Sequence, residues 1–174
     1  MHVCCAPCFI APYQHLREEG EYDVTGFWFN DNIHPYKEYR RRLDTFLEWS
    51  ERENVSCILD DVYQPEHFFR RIANREEERC FFCYYIRMQK TAERAKRESF
   101  SAFTTTLLYS VYQKHEMIKR IGKELADMTG VPFYYHDFRE YWREGIDLSK
   151  KAEMYRQPYC GCLYSERDRY HKRK

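Results

Sequence analysis

Apolar and polar positions change period several times along the chain, and the changes predict alternating strands and helices. Residues 2–5 read as the end of a short first strand. Pro7 stands where a helix begins, since a proline in the first turn gives up no hydrogen bond, and the segment to Glu19 reads as a helix closed by Gly20. Residues 23–30, β-branched and aromatic, form a second strand, with a polar loop over 30–34 at its carboxyl end. Pro35 opens a helix to about Asn54, in which Tyr39, Leu43, Phe46 and Leu47 recur at helical spacing. Residues 55–59 form a third strand, ended by Asp60-Asp61. Helical patterns follow over 65–73 and 80–98, joined by a charged link over 74–79. Residues 100–108 read as a fourth strand with Thr104, Thr105 and Thr106 in its middle. A helix over 113–128 ends at Gly130, and residues 131–136 read as a fifth short strand. Beyond that lie short helical or irregular pieces.

Alternation of this kind predicts an α/β fold: a Rossmann-like parallel sheet with helices on both faces and an irregular helical C-terminal part. No repeat or linker divides it, so residues 1–174 are expected to form one domain. Ligands of such sheets bind outside the carboxyl ends of the strands. The first cysteines, the loop over 30–34, Asp60-Asp61 and the segment after Thr106 all fall at that edge.

The thiols change the picture most. Seven of the eight cysteines fall in three tight groups: Cys4, Cys5 and Cys8; Cys80 and Cys83; Cys160 and Cys162. Thiolates are the ligands of iron–sulfur clusters and of structural zinc. A C-x-x-C pair at a helix start, as in Cys80 and Cys83, places its sulfurs near free backbone N–H groups that stabilise the anion. Cys4 and Cys5 are adjacent, and adjacent residues of a strand point to opposite faces, so both reach one cofactor only if the strand ends there. Gly161 permits a turn and a close backbone approach between Cys160 and Cys162. Seven thiols exceed the four that one zinc or one cubane takes, which fits two metal centres, one cluster beside a redox pair, or a zinc knot with spare buried cysteines. Cys57 lies within a strand and reads as a small buried hydrophobe.

Charge adds little, because 29 Lys and Arg against 28 Asp and Glu leave a net charge of +1. That balance does not announce a nucleic-acid binder. Residues 1–8 lack the pattern of a signal peptide, and no apolar run approaches the length of a membrane helix. Clustered thiols then point to the reducing cytoplasm, with no membrane partner expected, and to metal or redox roles over structural bridges.

The chain resembles the QueH-type epoxyqueuosine reductases, cobalamin-independent enzymes that complete queuosine in tRNA. The resemblance is carried by H-V-C-C-A-P-C (2–8), N-I-H-P-Y-K-E-Y (32–39), E-R-C-F-F-C-Y-Y-I-R (78–87), F-T-T-T-L-L-Y-S (103–110), W-R-E-G-I-D-L-S (142–149) and Y-R-Q-P-Y-C-G-C-L-Y-S (155–165). It implies a fold like that of adenine-nucleotide alpha-hydrolase-like proteins, a [4Fe–4S] cluster and an adjacent iron ion. It implies reductive removal of the epoxide oxygen of epoxyqueuosine in tRNA, the last step of queuosine biosynthesis. Cys4, Cys5, Cys80 and Cys83 are the implied cluster ligands, and Cys8, Cys160 and Cys162 are implied for the adjacent iron or a redox pair. An external electron donor such as a ferredoxin or flavodoxin is implied as a partner. One departure is the brevity of the first strand ahead of the cysteines, so either the natural chain starts upstream of Met1 or the strand is held some other way.

Proton donors are sought among His34, Tyr109, Asp61 and His136, each near a predicted strand end and each equally readable as a cap, a turn residue or a solvated side chain. Asn30, Asn32 and His34 suit turn chemistry or contact with the modified base. Thr104, Thr105 and Thr106 suit β-propensity or contact with ligand oxygens. Arg40-Arg41-Arg42, Arg70-Arg71, Lys119-Arg120 and Lys172-Arg173-Lys174 are available for tRNA phosphates, although acidic residues interleave. Two other classes stand beside the reductase. A zinc-stabilised RNA-binding protein predicts a colourless protein. An iron–sulfur tRNA sulfur-transfer enzyme would need ATP, for which neither a P-loop nor a Gly-rich loop is present.

Overall fold

A computed structural model describes residues 1–171. Three strands, β1 (His2–Val3), β2 (Gly26–Trp28) and β3 (Cys57–Leu59), pair in parallel in the order β1-β2-β3. Parallel single-residue bridges extend the sheet beyond β1, from His2 to Thr105 and from Phe103 to Phe133. The seven helices among the described residues are α1 (Ala6–Glu19), α2 (Tyr36–Arg52), α3 (Pro65–Ile72), α4 (Arg79–Arg97), α5 (His115–Thr129), α6 (Trp142–Lys151) and α7 (Leu163–Tyr170).

The sheet is covered on both sides, as the alternating pattern required. Along β2, Trp28 packs with Phe9 of α1 and Phe46 of α2, while Phe27 and its neighbour Phe29 pack with Ile86 of α4. Period-2 alternation thus sends successive large side chains to opposite faces. A second large core joins α1, α4 and α5 through Ala11, Leu16, Met88, Ala92, Ile118 and Leu125.

The fourth and fifth predicted strands are corrected to isolated bridges. Residues 106–108 form a 3-10 turn, and the Thr105 hydroxyl accepts the Leu107 N–H at 3.1 Å. Local hydroxyl-to-backbone bonding has won over the β-propensity of three threonines. In the fifth segment Pro132 has no N–H to offer a ladder, so pairing shrinks to Phe103 N–H on Pro132 O and Tyr134 N–H on Phe103 O, both 2.9 Å. The irregular C-terminal part contains two helices, α6 and α7, that periodicity did not single out.

Chain ends of elements follow the expected chemistry. Gly20 and Gly130 close α1 and α5 at φ 71° and 77°, the left-handed region that glycine enters without strain. The first strand stops after Val3, and α1 starts at Ala6 with Cys5 as its N-cap. Strand end and helix start are therefore separated by only Cys4 and Cys5.

Candidate metal and active site

The abrupt turn from β1 into α1 solves the problem of adjacent cysteines. With the strand ended, Cys4 and Cys5 need not alternate, and Cys8 returns one helical turn later. Their three sulfurs lie within 4.8 Å of one another, with Cys4 Sγ and Cys5 Sγ 3.8 Å apart. Thr106 donates its hydroxyl to Cys4 Sγ at 3.2 Å and accepts the Cys4 N–H at 3.1 Å. Gln157 donates to Cys5 Sγ at 2.8 Å. Hydrogen bonds from Cys5 and Cys8 hold Cys4 well below the usual thiol range, and Cys8 is correspondingly pushed up. Cys5 is raised chiefly by burial.

The other thiols approach from two further elements. Cys80 and Cys83 lie in the first turns of α4, as the C-x-x-C spacing requires. Cys80 packs against the core of α1, α4 and α5, whereas Cys83 is buried in a cluster with Cys162, Phe68 and Ile72. Cys160 faces Gln113, whose amide donates to its sulfur at 3.4 Å. Cys57 is placed apart, bonding the Val55 carbonyl beside β3.

Gly161 lets the Cys160-Gly161-Cys162 segment close onto the polar loop. At φ 148° it approaches so tightly that a Cβ would come 3.2 Å from Ile33, 3.3 Å from Arg42 Nη1 and 3.5 Å from Asn32 Nδ2. The Gly161 carbonyl accepts His34 N–H at 2.8 Å, and Tyr159 donates its hydroxyl to His34 O at 2.7 Å. Arg42, 1% exposed, pairs with Glu38 at 2.7 Å and donates to the carbonyls of Cys160 and Tyr159 at 2.8 and 3.1 Å. A buried guanidinium therefore clamps the last pair of cysteines to α2.

Arg87 is the second buried guanidinium, 1% exposed, one turn after Cys83 on α4. It donates to the Cys83 sulfur at 2.9 Å and to the Cys83 carbonyl at 3.0 Å. Burial works against its charge, but the thiols of Cys83, Cys160 and Cys4 outweigh burial and raise its pKa. A cation buried against sulfur, with the buried Asp31 carboxylate also within its field, is compensated best when those sulfurs are anionic.

Several buried polar atoms near the thiols also have no partner among the described residues: Asn30 Oδ1, Asp31 Oδ1, both side-chain polar atoms of Asn32, both ring nitrogens of His34 and Gln157 Oε1, whereas the unpartnered Thr104 lines a separate pocket with Met1 and Tyr134. Buried polar groups are normally satisfied, so this concentration beside the thiols marks a binding centre. His34 stacks on Phe69 at 4.8 Å, and Asn30 donates to the Val3 carbonyl at 2.9 Å. The donor set fits a polyanionic, thiolate-held metal group: seven clustered thiols, three of them in mutual contact range, with a buried cation and uncommitted donors around them.

A cavity of about 600 Å³ opens onto this centre, lined by Cys4, Cys8 and Cys160 with Arg87, Thr106 and Gln157. Among the proton-donor candidates, Tyr109 is buried beside it and donates to the Trp142 carbonyl at 3.1 Å. Burial first, then the nearby Cys8 and Cys5, push its phenol pKa up. Asp61 is instead engaged by Tyr39 and Arg40 at 2.7 and 2.9 Å. His136 pairs with Glu140 at 2.7 Å. None of Tyr109, His34, Asp61 and His136 is among the cavity-lining residues; Tyr109 reaches the cavity wall only through Trp142. The basic runs are largely committed elsewhere: Arg40 to Asp44 and Asp61, Arg42 to Glu38, Arg71 to Asp31, and Lys119 over the Tyr135 ring. Lys172-Arg173-Lys174 lies outside the described residues. Arg87, Gln113 and Gln157 escaped the sequence reading; Arg87 alone had a signal, its i+4 spacing from Cys83 on a helix face.

Residues 1–168 match the family described as Epoxyqueuosine reductase QueH. The chain is 33% identical over 172 residues to epoxyqueuosine reductase QueH of Dehalococcoides mccartyi, covering 99% of this chain and 94% of that protein. It is 30% identical over 181 residues to the Thermotoga maritima protein of the same name, covering 99% and 92%. With the Streptococcus pyogenes protein of that name it shares 30% identity over 177 residues, 95% of this chain and 69% of that protein. A match that runs from the first thiol trio through the clamp on Cys160 and Cys162 leaves one conclusion, that the chain belongs to the QueH family of epoxyqueuosine reductases.

Proposed function

We propose that this chain reduces the epoxide of epoxyqueuosine in tRNA at the thiol-lined cavity, using a [4Fe–4S] cluster and a neighbouring iron ion held by its seven clustered cysteines. As a family member it is an oxidoreductase, and the step it performs is the last of queuosine biosynthesis. The observation that carries the metal assignment is the Cys4, Cys5 and Cys8 trio opening onto a cavity. It supports grouping Cys8 with Cys4 and Cys5, while Cys80, Cys83, Cys160 and Cys162 complete the two sets.

The overall change is epoxide plus two electrons and two protons to alkene plus water. The bound metals would supply single electrons and a Lewis acid for the epoxide oxygen. An external donor such as a ferredoxin or flavodoxin supplies the electrons. The protein's own residues do the rest. Arg87 keeps a fixed positive charge beside the sulfurs and offsets the negative charge that reduction adds. Thr106 and Gln157 hold Cys4 and Cys5 in place by donating to their sulfurs. Tyr109 stays protonated in its buried position, where Cys8 and Cys5 add to the effect of burial, and its phenol is the proton donor this reading offers. Asn30, Asn32 and His34 do not line the cavity, and their uncommitted donors and acceptors serve the centre beside Val3 and Gly161; Thr104 lines a separate pocket with Met1 and Tyr134, and Thr105 and Thr106 are occupied with His2 and Cys4.

The clustered free cysteines support operation in the reducing cytoplasm, where thiols stay reduced. Among the described residues no helix is long and apolar enough to cross a membrane. The test is anaerobic purification with iron and sulfide analysis, then turnover on tRNA carrying epoxyqueuosine. More than four irons with about four sulfides per chain, and conversion to queuosine, is the expected result. Zinc without sulfide would overturn the metal assignment.

A further inference from the structure

The mouth of the cavity carries features that holding metal does not require. Tyr112 is 83% exposed, the most exposed large apolar side chain among the described residues. Its ring meets Trp142 edge-on, with centroids 5.7 Å apart and planes at 82°. Both line the cavity, together with Arg156 and Arg169. These two arginines are exposed, and neither forms an ion pair among the described residues. Their neighbours differ: Arg79 and Arg167 are both tied to Asp168, at 2.6 and 2.8 Å.

The cavity descends from this rim to Cys8, 8% exposed, and Arg87, 1% exposed. A base stacked within a helix cannot reach such depth; a nucleotide turned out of its stack can. About 600 Å³ suits one nucleoside-sized ligand. With a net charge of +1 the chain has little general attraction for a polyanion, so affinity must come from local contacts. An open tyrosine face braced by a second aromatic ring, flanked by two uncommitted guanidinium groups, is the arrangement that stacks a base and pairs its phosphates.

We propose that the cavity receives one nucleotide extruded from a single-stranded RNA loop, that Tyr112 stacks on a base flanking it, and that Arg156 and Arg169 hold the adjoining phosphates. The proposal rests on the reductase reading above and adds the surface by which the RNA is held. Duplex RNA, which is read by shape across its minor groove, offers no free base face to Tyr112.

The test uses the iron- and sulfide-loaded full chain and an RNA stem-loop carrying epoxyqueuosine in its single-stranded loop. Tyr112→Ala should weaken stem-loop binding about tenfold, within the range that one stacked base accounts for. Its KM should rise by more than its kcat falls, and Tyr112→Trp should restore binding to within about twofold. The double variant Arg156→Gln, Arg169→Gln should lower the slope of log affinity against log salt by about 1.4, two phosphate contacts to a single strand. Tyr112→Ala should leave that slope as it is. Wild-type affinity in Tyr112→Ala, or equal binding of a fully paired duplex, would overturn the proposal while leaving the reductase reading intact. A loaded wild-type chain that binds the stem-loop but converts neither it nor free epoxyqueuosine would overturn the reductase reading instead.

Discussion

Arg87 shows what a single side chain imposes on this site. Its charge is buried, its hydrogen bonds go to Cys83, and its electrostatic neighbours are thiols together with the buried Asp31 carboxylate. Arg87→Met should therefore affect the loaded protein more than the metal-free one. Metal-free stability should fall as well, though less, because removing one partner leaves the buried Asp31 carboxylate less compensated. The potential of the loaded cluster should fall, since the lost cation no longer favours the reduced, more negative state. A redox titration followed by electron paramagnetic resonance measures this, and an unchanged potential would rule out the role. Two buried histidines make a separate prediction for the metal-free chain. Burial, then Arg87, lowers the pKa of His2 to about 3, and burial lowers that of His34 to about 4. The unfolded chain takes up protons on both rings as pH falls through about 6.5, while the folded chain does not until near those lower values. Stability present above pH ~6.5 should thus decline toward pH 4, by roughly 1.4 kcal/mol per pH unit for each ring. Urea midpoints across that window measure it, and His34→Gln should make the slope shallower without abolishing it, since the Met1 amine and His115 are also shifted downward. Cys57 is the control: bonded to Val55 beside the sheet, its alanine variant should keep full iron and turnover, whereas Cys5→Ala should lose both.

At the scale of elements, the contact between α6 and the turn after Thr106 positions the cavity wall. A Cβ at Gly145 would collide with the Tyr109 hydroxyl and ring, and that hydroxyl bonds the Trp142 carbonyl at the start of α6. Gly145→Ala should push α6 from Tyr109 and cost about 1–3 kcal/mol, the usual penalty for overpacking. A thermal melt checks the loss, and the turnover rate should fall with it because Trp142 and Ile146 line the cavity. The parallel strands, the long helices α2, α4 and α5, and both glycine caps were legible in the sequence because apolar period and φ > 0 positions are local properties. The threonine run was not. Its β-propensity was real, but the Thr105 hydroxyl turned the chain at Leu107, and the outcome depended on where His2 and Cys4 stood to receive Thr105 and Thr106.

Across the whole molecule, the thiols come from three regions that contribute little to one another locally: the β1–α1 turn, the start of α4 and the segment before α7. Loading the metals should therefore cross-link the fold and raise its melting temperature by several degrees, in proportion to binding free energy. Chelation should reverse the gain, as differential scanning calorimetry of loaded and stripped protein would show; identical melting would mean that the three regions are already locked without metal. By itself, the sequence determined the layer order, the grouping of seven thiols and the likeness to a reductase family, since strand and helix periods, cysteine spacing and motif order are all written along one dimension. Only the tertiary structure decided that the sulfurs of Cys4, Cys5 and Cys8 come within 4.8 Å of one another, that Arg87 and Gln157 reach the sulfurs, and that Asp61 and His136 are engaged away from the cavity. Those outcomes hang on contacts between residues as far apart as Cys5 and Gln157, and no local pattern encodes which distant side chain a fold will bring to a given sulfur.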